Sequence, residues 1–340
     1  MNTIKFGIIC PSEIAFRRFM PALKQINGVE YIGLAVNSIS ERYGENIPSV
    51  EIQEKMLTRN REKAKNFVDS FGGKIFNSYE EIARSDEIDA LYIPLPPALH
   101  YKWAKIALEA NKHVLLEKPA AISLTEINSL VKLASSKNLA LHENYMFIYH
   151  EQLNIIRGII KSGKIGDVRL CVVKFGFPRR NPDDFRYNKI LGGGALNDAG
   201  GYTIKLAADI LGESAKILYS QMNYLDDFDV DIYGSGTLGN NSGSVVQIAY
   251  GMDNDYKCEL EVWGSKGTLR TGRIITAPAG FVPELIINNE IINLPADDTF
   301  KKSIENFITC INNESERQAN YLAITRQAEL INEFRKKAAH

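Results

Sequence analysis

The stretch His113-Val114-Leu115-Leu116-Glu117-Lys118-Pro119 ends a short apolar run in a carboxylate, an ammonium and a proline. If that run is a parallel strand, Lys118 stands at its carboxyl end, the edge where α/β sheets receive ligands. Pro119 keeps Lys118 out of helical geometry. An ammonium so placed can polarise a carbonyl oxygen or ease a neighbouring acid toward ionisation. By itself Glu-Lys-Pro is more often a solvated loop. A second cationic group, Arg179, Arg180, Arg186 and Lys189, precedes the run Gly192-Gly193-Gly194. Arginine forks suit a diphosphate, and a solvated loop explains them equally well. His100 and His113 are too isolated to suggest a metal site. No Cys-x-x-Cys links Cys10, Cys171, Cys258 and Cys310, which read as reduced thiols of a cytoplasmic protein.

Near the N-terminus, Gly7-Ile8-Ile9-Cys10-Pro11-Ser12-Glu13-Ile14-Ala15 stands where a dinucleotide-binding domain carries Gly-x-Gly-x-x-Gly. Cys10, Ser12 and Ala15 take the three glycine positions. All are small, so phosphates can still approach the helix-start amides of Glu13 and Ile14. Pro11 removes one donor. Read alone, this is an ordinary strand–turn–helix. The second strand ends Ala35-Val36-Asn37-Ser38, without the Asp or Glu that accepts from the ribose of NAD. A neutral Ser38 favours NADP(H) over NAD(H), with Arg42, Arg59 or Arg61 as candidate cations.

The elements that would position these residues follow from periodicity. Apolar runs at Ile4–Ile9, Tyr31–Val36, Ala90–Ile93, His113–Leu116 and Leu139–His142 alternate with helical patterns at Glu13–Asn27, Arg61–Phe71, Tyr79–Arg84, Leu99–Ala110 and Leu124–Ser136. Ser78 with Glu81, and Ser123 with Glu126, form capping boxes. Residues 1–145 therefore read as an α/β domain with a doubly wound parallel sheet. Residues 146–340 read as an α+β domain with an open, mainly antiparallel sheet, one face covered by helices. Its strands are expected at Val168–Phe177, Ala215–Tyr224, Asp229–Thr237, Gly243–Ala249, Cys258–Trp263 and Gly267–Ile275, its helices at Tyr149–Lys161, Ala195–Leu211, Phe300–Ile311 and Glu316–Lys337. The segment Ile39–Thr58 is long for a strand-to-helix connection and reads as a functional loop or an insertion. With 340 residues there is room for two cores. Forty basic and 41 acidic residues give a net charge of −1, so no global field draws the chain to nucleic acid or an anionic membrane. No apolar stretch approaches the ~20 residues of a membrane helix, and the first apolar run is too short for a signal peptide.

Four motifs, in order, closely resemble the glucose–fructose oxidoreductase/inositol dehydrogenase (Gfo/Idh/MocA) family. Asn111-Lys112-His113 through Pro119 is similar to its Gly-Lys-His-Val-x-x-Glu-Lys-Pro signature. Tyr92-Ile93-Pro94-Leu95-Pro96-Pro97-Ala98-Leu99-His100 resembles its fourth-strand turn, Glu143-Asn144-Tyr145-Met146-Phe147 its crossover strand, and Gly192 through Tyr202 its triple-glycine helix start. The resemblance implies a Rossmann domain plus an open-sheet domain, with cofactor and substrate between them. It implies that Leu95, His100, Glu117 and Lys118 serve the cofactor and that Asn144 faces substrate. Many members carry Asp-x-x-x-His on the glycine helix; here the matching positions are Asp198 and Tyr202, spaced to share one helical face. Tyrosine in place of histidine is similar to the nucleotide-sugar 3-ketoreductase branch and to xylose and dihydrodiol dehydrogenases. Phe175-Gly176-Phe177-Pro178, Asp184-Phe185-Arg186-Tyr187 and Ile14-Ala15-Phe16-Arg17-Arg18 also resemble the ketoreductases, implying Arg186 and Asp198 near the cofactor and Arg17 near the substrate. The expected function is NAD(P)(H)-dependent reduction of a keto group on a nucleotide-linked sugar. Lys118 and Tyr202 are its catalytic pair, in either order of proton donor and electrostatic partner. A free-sugar or diol dehydrogenase, and a non-catalytic member with a weakened cofactor site, are the alternatives. The resemblance also implies a homodimer or homotetramer.

Overall fold

The computed structural model describes residues 3–43 and 49–338, without the side chains of Arg42 and Tyr43. The chain divides into two compact units. One comprises Met1–Ala121, Thr125–Asn144 and Ile304–Ile324; the other comprises Ile122–Leu124, Tyr145–Ser303 and Thr325–His340. The sequence reading places its boundary at 145 and does not contain the return of 304–324 to the first unit.

In the first unit, β1 (Ile4–Ile9), β2 (Val29–Ala35), β3 (Lys74–Phe76), β4 (Ala90–Ile93), β5 (His113–Leu116) and β6 (Leu141–Glu143) form one parallel sheet. Its order is β3-β2-β1-β4-β5-β6, which reverses between β1 and β4, the switch point where doubly wound sheets bind ligands. The strands are short and apolar because both faces are covered: Phe6, Ile8, Leu91, Tyr92 and Leu116 are wholly buried. Connecting them are α1 (Met20–Leu23), α2 (Ile39–Tyr43), α3 (Val50–Phe71), α4 (Tyr79–Arg84) and α5 (Pro97–Glu109), and α6 (Leu124–Ser136) precedes β6.

Two expectations change here. The helix expected from Arg61 begins at Val50 and runs 22 residues. Gln53 to Leu57 are good helix formers, and Met56, Ala64 and Phe67, spaced eight and three apart, all bury on one side. Of the segment Ile39–Thr58, then, 39–43 and 50–58 are helical, while 44–48 lie outside the described residues. The short strand β3 has too few residues to show a period and went unexpected.

In the second unit, α7 (Glu151–Lys161) and α8 (Gly201–Leu211) accompany an eight-stranded sheet. Its strands are β7 (Val168–Gly176), β8 (Lys216–Tyr224), β9 (Asp231–Gly239), β10 (Val245–Gly251), β11 (Lys257–Gly264), β12 (Thr268–Gly272), β13 (Glu284–Ile287) and β14 (Glu290–Asn293). They lie in the order β14-β13-β12-β11-β7-β10-β9-β8, and every neighbouring pair is antiparallel except β7 with β10. Burial alternates along the strands. Ile232, Val246, Ile248, Leu260 and Val262 are buried in the core, while Tyr219, Tyr233, Gln247 and Lys174 are exposed on the other side. The hairpin β13–β14 was not foreseen. Its turn is Asn288-Asn289, with φ of 50° and 75°, as a two-residue I′ turn requires. Helices α9 (Thr299–Asn312) and α10 (Glu314–Ala338) end the chain. Among the described residues no helix is long and apolar enough to cross a membrane.

Candidate functional site

The candidate residues of the first unit gather at the carboxyl ends of its strands. After β1, Cys10 takes φ 88°, the left-handed conformation that makes glycine usual in such a turn. Its N–H donates to the Ala35 carbonyl at 3.2 Å, and its own carbonyl accepts from the Ser12 N–H at 2.9 Å. The Ser12 hydroxyl accepts from the Ala15 N–H at 3.2 Å. One helix runs over 13–23, four residues shorter than the 13–27 expected, and its stretch Ala15–Phe19 is π-wound. The small turn with its helix-start amides fits a dinucleotide's phosphates. Glu13 and Arg17 are both exposed and pair with each other at 2.7 Å, i to i+4 along the helix.

After β4, His100 is wholly buried and bridges two turns. Its Nε2 lies 2.7 Å from the Leu95 carbonyl and its Nδ1 2.7 Å from that of Pro119. Burial, opposed by those two carbonyls, pushes its pKa down to about 4; the neutral ring carries one N–H and so donates to one of the two carbonyls while packing against the other. The Leu95 turn and the Lys118–Pro119 turn are thus tied through one ring, and the Lys118–Pro119 peptide is cis. Glu117 Oε1 accepts from the Tyr92 hydroxyl and from the Asn144 amide, each at 2.7 Å. Glu143 Oε1 accepts from the Ala120 N–H at 2.8 Å. Lys118 therefore sits on a loop braced from β4 and β6. At the end of β2, Asn37 is buried and its Oδ1 accepts from Asn60 on α3 at 2.7 Å.

The second unit holds the glycine run. Gly192 and Gly194 take φ of 79° and 112°. A Cβ on Gly193 would collide with the Arg186 carbonyl oxygen, and one on Gly194 would stand 2.5 Å from Asp231 Oδ1. Asp231 Oδ2 accepts from the Leu196 N–H at 2.7 Å, the first residue of a π-wound turn, Leu196–Gly200, that leads into α8. Burial pushes the Asp231 carboxyl up to about 6 against that hydrogen bond and the nearby Arg335. Arg186 Nε donates to Asp198 Oδ2 at 2.6 Å and Nη1 to Asp184 at 3.1 Å. Burial opposes the guanidinium charge, and the two carboxylates outweigh it and raise its pKa. Tyr202 is 8% exposed and set among the rings of Tyr145, Phe147 and Phe175 at 5.2, 5.8 and 5.5 Å.

The structure therefore joins Arg186 with Asp198, as their shared motif suggests, but does not gather the arginines. Arg179 lies over the Phe228 ring and 4.0 Å from Asp253, and Arg180 over Phe177. Sequence reasoning missed Glu41 and Asp231. Glu41 had a readable signal, because Ser38-Ile39-Ser40-Glu41 is a capping box. Asp231 had none, since only the fold brings it against Gly194.

A family model described as the oxidoreductase family with an NAD-binding Rossmann fold matches residues 37–145, and one described as the GFO/IDH/MocA C-terminal domain matches residues 154–270. A dTDP-3,4-didehydro-2,6-dideoxy-alpha-D-glucose 3-reductase of Actinomadura kijaniata is 32% identical over 98% of this chain and 95% of its own. One of Saccharopolyspora spinosa is also 32% identical, over 89% of this chain and 86% of its own. Among solved structures, KijD10, a 3-ketoreductase from Actinomadura kijaniata in complex with NADP and TDP-benzene, superimposes with a TM-score of 0.89. It is 31% identical, covering 99% of this chain and 98% of that one.

Proposed function

The chain belongs to the Gfo/Idh/MocA oxidoreductase family, and from that premise we propose that it reduces a keto group on a nucleotide-linked sugar with a nicotinamide dinucleotide. The observation that carries this is the bracing of Lys118. It stands at the end of β5, held through His100 and Glu117 to the ends of β4 and β6, the edge where such a sheet receives a dinucleotide. Bound there, the cofactor supplies the hydride. Cys10, Ser12, Glu13 and Ile14 border its phosphates, Ser38 its ribose, and Leu95, His100 and Glu117 the turns beside Lys118. Lys118 and Tyr202 handle the proton. A phenol among apolar rings is suited to giving a proton to an alkoxide, and an ammonium to polarising the ketone oxygen. Arg186 and Asp198, locked to each other, hold the start of the glycine helix. Arg17 and Asn144 are the candidate substrate contacts.

The relatives named above, a dTDP-sugar 3-reductase and a 3-ketoreductase in complex with TDP-benzene, support the nucleotide-linked substrate. The exposed cations Arg179, Arg180 and Lys189 supply charge for a diphosphate. NADP(H) is favoured over NAD(H): Asn37 and Ser38 are neutral, Arg59 on α3 is exposed, and KijD10 is similar in a complex with NADP. We further propose a cytoplasmic homo-oligomer, with Tyr219, Tyr233 and Trp263 exposed on the open sheet face for a second copy.

The experiment is NADPH oxidation with a panel of nucleotide keto-sugars, run beside NADP⁺ reduction with free xylose, glucose and inositol. Turnover of the nucleotide keto-sugars is expected, and Lys118→Met lowers it by about 10²-fold or more while the cofactor still binds. Turnover of free sugars alone overturns the substrate assignment. Full activity in Lys118→Met removes that residue from the chemistry.

A further inference from the structure

The residues just after β2 carry no acid until Glu41, and the fold brings that carboxylate back to the strand end. Glu41 Oε2 accepts from the Ser38 N–H at 2.7 Å and the Tyr79 N–H at 3.1 Å, while Oε1 accepts from the Glu80 N–H at 2.9 Å. The Ser38 hydroxyl accepts from the Glu41 N–H at 3.3 Å, which completes a capping box at the start of α2. That box needs only the bond to Ser38. The bonds to residues 79 and 80 do more, because they pin the carboxylate beside the strand end from a distant part of the chain.

The carboxyl end of β2 is where a doubly wound sheet tells a ribose 2′-hydroxyl from a 2′-phosphate. A carboxylate there accepts from the hydroxyl and repels the phosphate, whereas cations and free donors take the phosphate. The donors at this end are the Ser38 N–H and the hydroxyls of Ser38 and Ser40, which lie 3.3 Å apart. Arg59 adds a cation from α3, beside the Asn60 that donates to Asn37. Glu41 already holds the Ser38 N–H. We propose that Glu41 sets the cofactor choice, as an internal carboxylate competing with the 2′-phosphate for Ser38. This rests on reading the first unit as a dinucleotide site. The ribose of NAD(H) meets an acceptor in Glu41. A 2′-phosphate must displace Glu41 from Ser38 or stand beside its charge, and Arg59 offsets part of that repulsion. The preference for the phosphorylated cofactor is therefore held to a modest level.

Fluorescence titration of NADPH and NADH into the wild-type protein and Glu41→Gln tests this. Glutamine keeps the length and an acceptor for Ser38 but loses the charge. NADPH is expected to bind on the order of tenfold tighter to Glu41→Gln, and NADH to change by less than about threefold. Glu41→Asp, which keeps the charge, should leave the ratio of the two affinities near the wild-type value. Melting temperatures without cofactor report whether each variant keeps its fold. An unchanged ratio in Glu41→Gln overturns the proposal, as does an equal shift in Glu41→Gln and Glu41→Asp, which would make Glu41 a loop anchor only. If wild type binds neither coenzyme, the dinucleotide reading falls and this one with it. If both bind and only the ratio refuses to move, that reading stands and Glu41 is not its specificity residue.

Discussion

In the first unit Cys10 turns the chain from β1 into a π-wound segment, Ala15–Phe19; in the second, Gly192 to Gly194 turn it into another, Leu196–Gly200. Both turns need left-handed backbone, at φ 88° for Cys10 and at 79° and 112° for Gly192 and Gly194. One turn has no glycine and the other has three. What surrounds each turn accounts for the contrast. At Gly193 a Cβ meets the Arg186 carbonyl, so backbone packs on backbone and no side chain fits. At Cys10 only the dihedral is unfavourable, which costs an L-residue about 1–2 kcal/mol, and the bonds to the Ala35 carbonyl and from the Ser12 N–H hold the turn regardless. A glycine motif can therefore lose its letters and keep its path where close approach is not at stake. The π-turns that follow both are a device often found at functional helices.

The largest test is Gly193→Ala. The added methyl must push the Phe185–Arg186 backbone aside, and with it the ion pair that Arg186 makes with Asp198. A loss of roughly 3–4 kcal/mol is expected, seen as a clear fall in Tm, with turnover falling alongside. A Tm within a degree of wild type would show that the glycine turn yields as readily as the Cys10 turn, and the contrast would collapse.

That contrast also marks what the sequence made legible. Five of the six parallel strands of the first unit, apolar and bounded by helical patterns, could be placed to within two residues, β3 being the exception, and Lys118 could be placed at the end of β5. The extension of α3 back to Val50 was not, because a polar, charged stretch with few apolar positions reads the same in loop and helix. The braces were hidden for a different reason. His100 reaching Pro119, Glu41 reaching Tyr79 and Asp231 under Gly194 each depend on residues 19 to 38 positions apart meeting in space. The Cys10 turn looked degraded in letters, although its geometry is retained.

A second test uses what holds each helix start. The first turn is capped by the neutral Ser12 hydroxyl, the second by the carboxyl of Asp231. Burial lifts that carboxyl to about 6 from its ordinary 3.8, so the folded chain binds the proton more tightly than the unfolded one. Its contribution favours folding fully below about pH 4 and is lost as pH rises through 6, where the folded protein must carry a buried charge. Asp231→Asn keeps an acceptor for Leu196 and removes the charge. It should raise stability at pH 7.5 by on the order of 2 kcal/mol, with the gain shrinking toward pH 5. Melting curves across pH 5–8 measure this. A Ser12→Ala series should run parallel to wild type. If Asp231→Asn also runs parallel, the carboxyl carries no buried charge and the two starts are alike.

The smallest effect comes from restoring the missing letter. Cys10→Gly removes the strain of a side chain at φ 88°, worth about 1–2 kcal/mol, and restores the backbone freedom of the unfolded chain, which costs about 0.5–1 kcal/mol. The two nearly cancel. The cysteine is also only half-buried, so little packing is lost. A net gain of about 0.5 kcal/mol follows, a small rise in Tm. Binding should respond more clearly than stability. Removing the side chain opens the turn to phosphate oxygens without moving the N–H groups of the helix start, so NADPH and NADH should both tighten by about two- to fivefold. Equal tightening separates this from Glu41, whose replacement moves one coenzyme alone. A fall in Tm for Cys10→Gly would mean that the thiol packs usefully in the turn. Cysteine would then be preferred there over glycine, and the first turn would depend on its side chain as firmly as the second depends on having none.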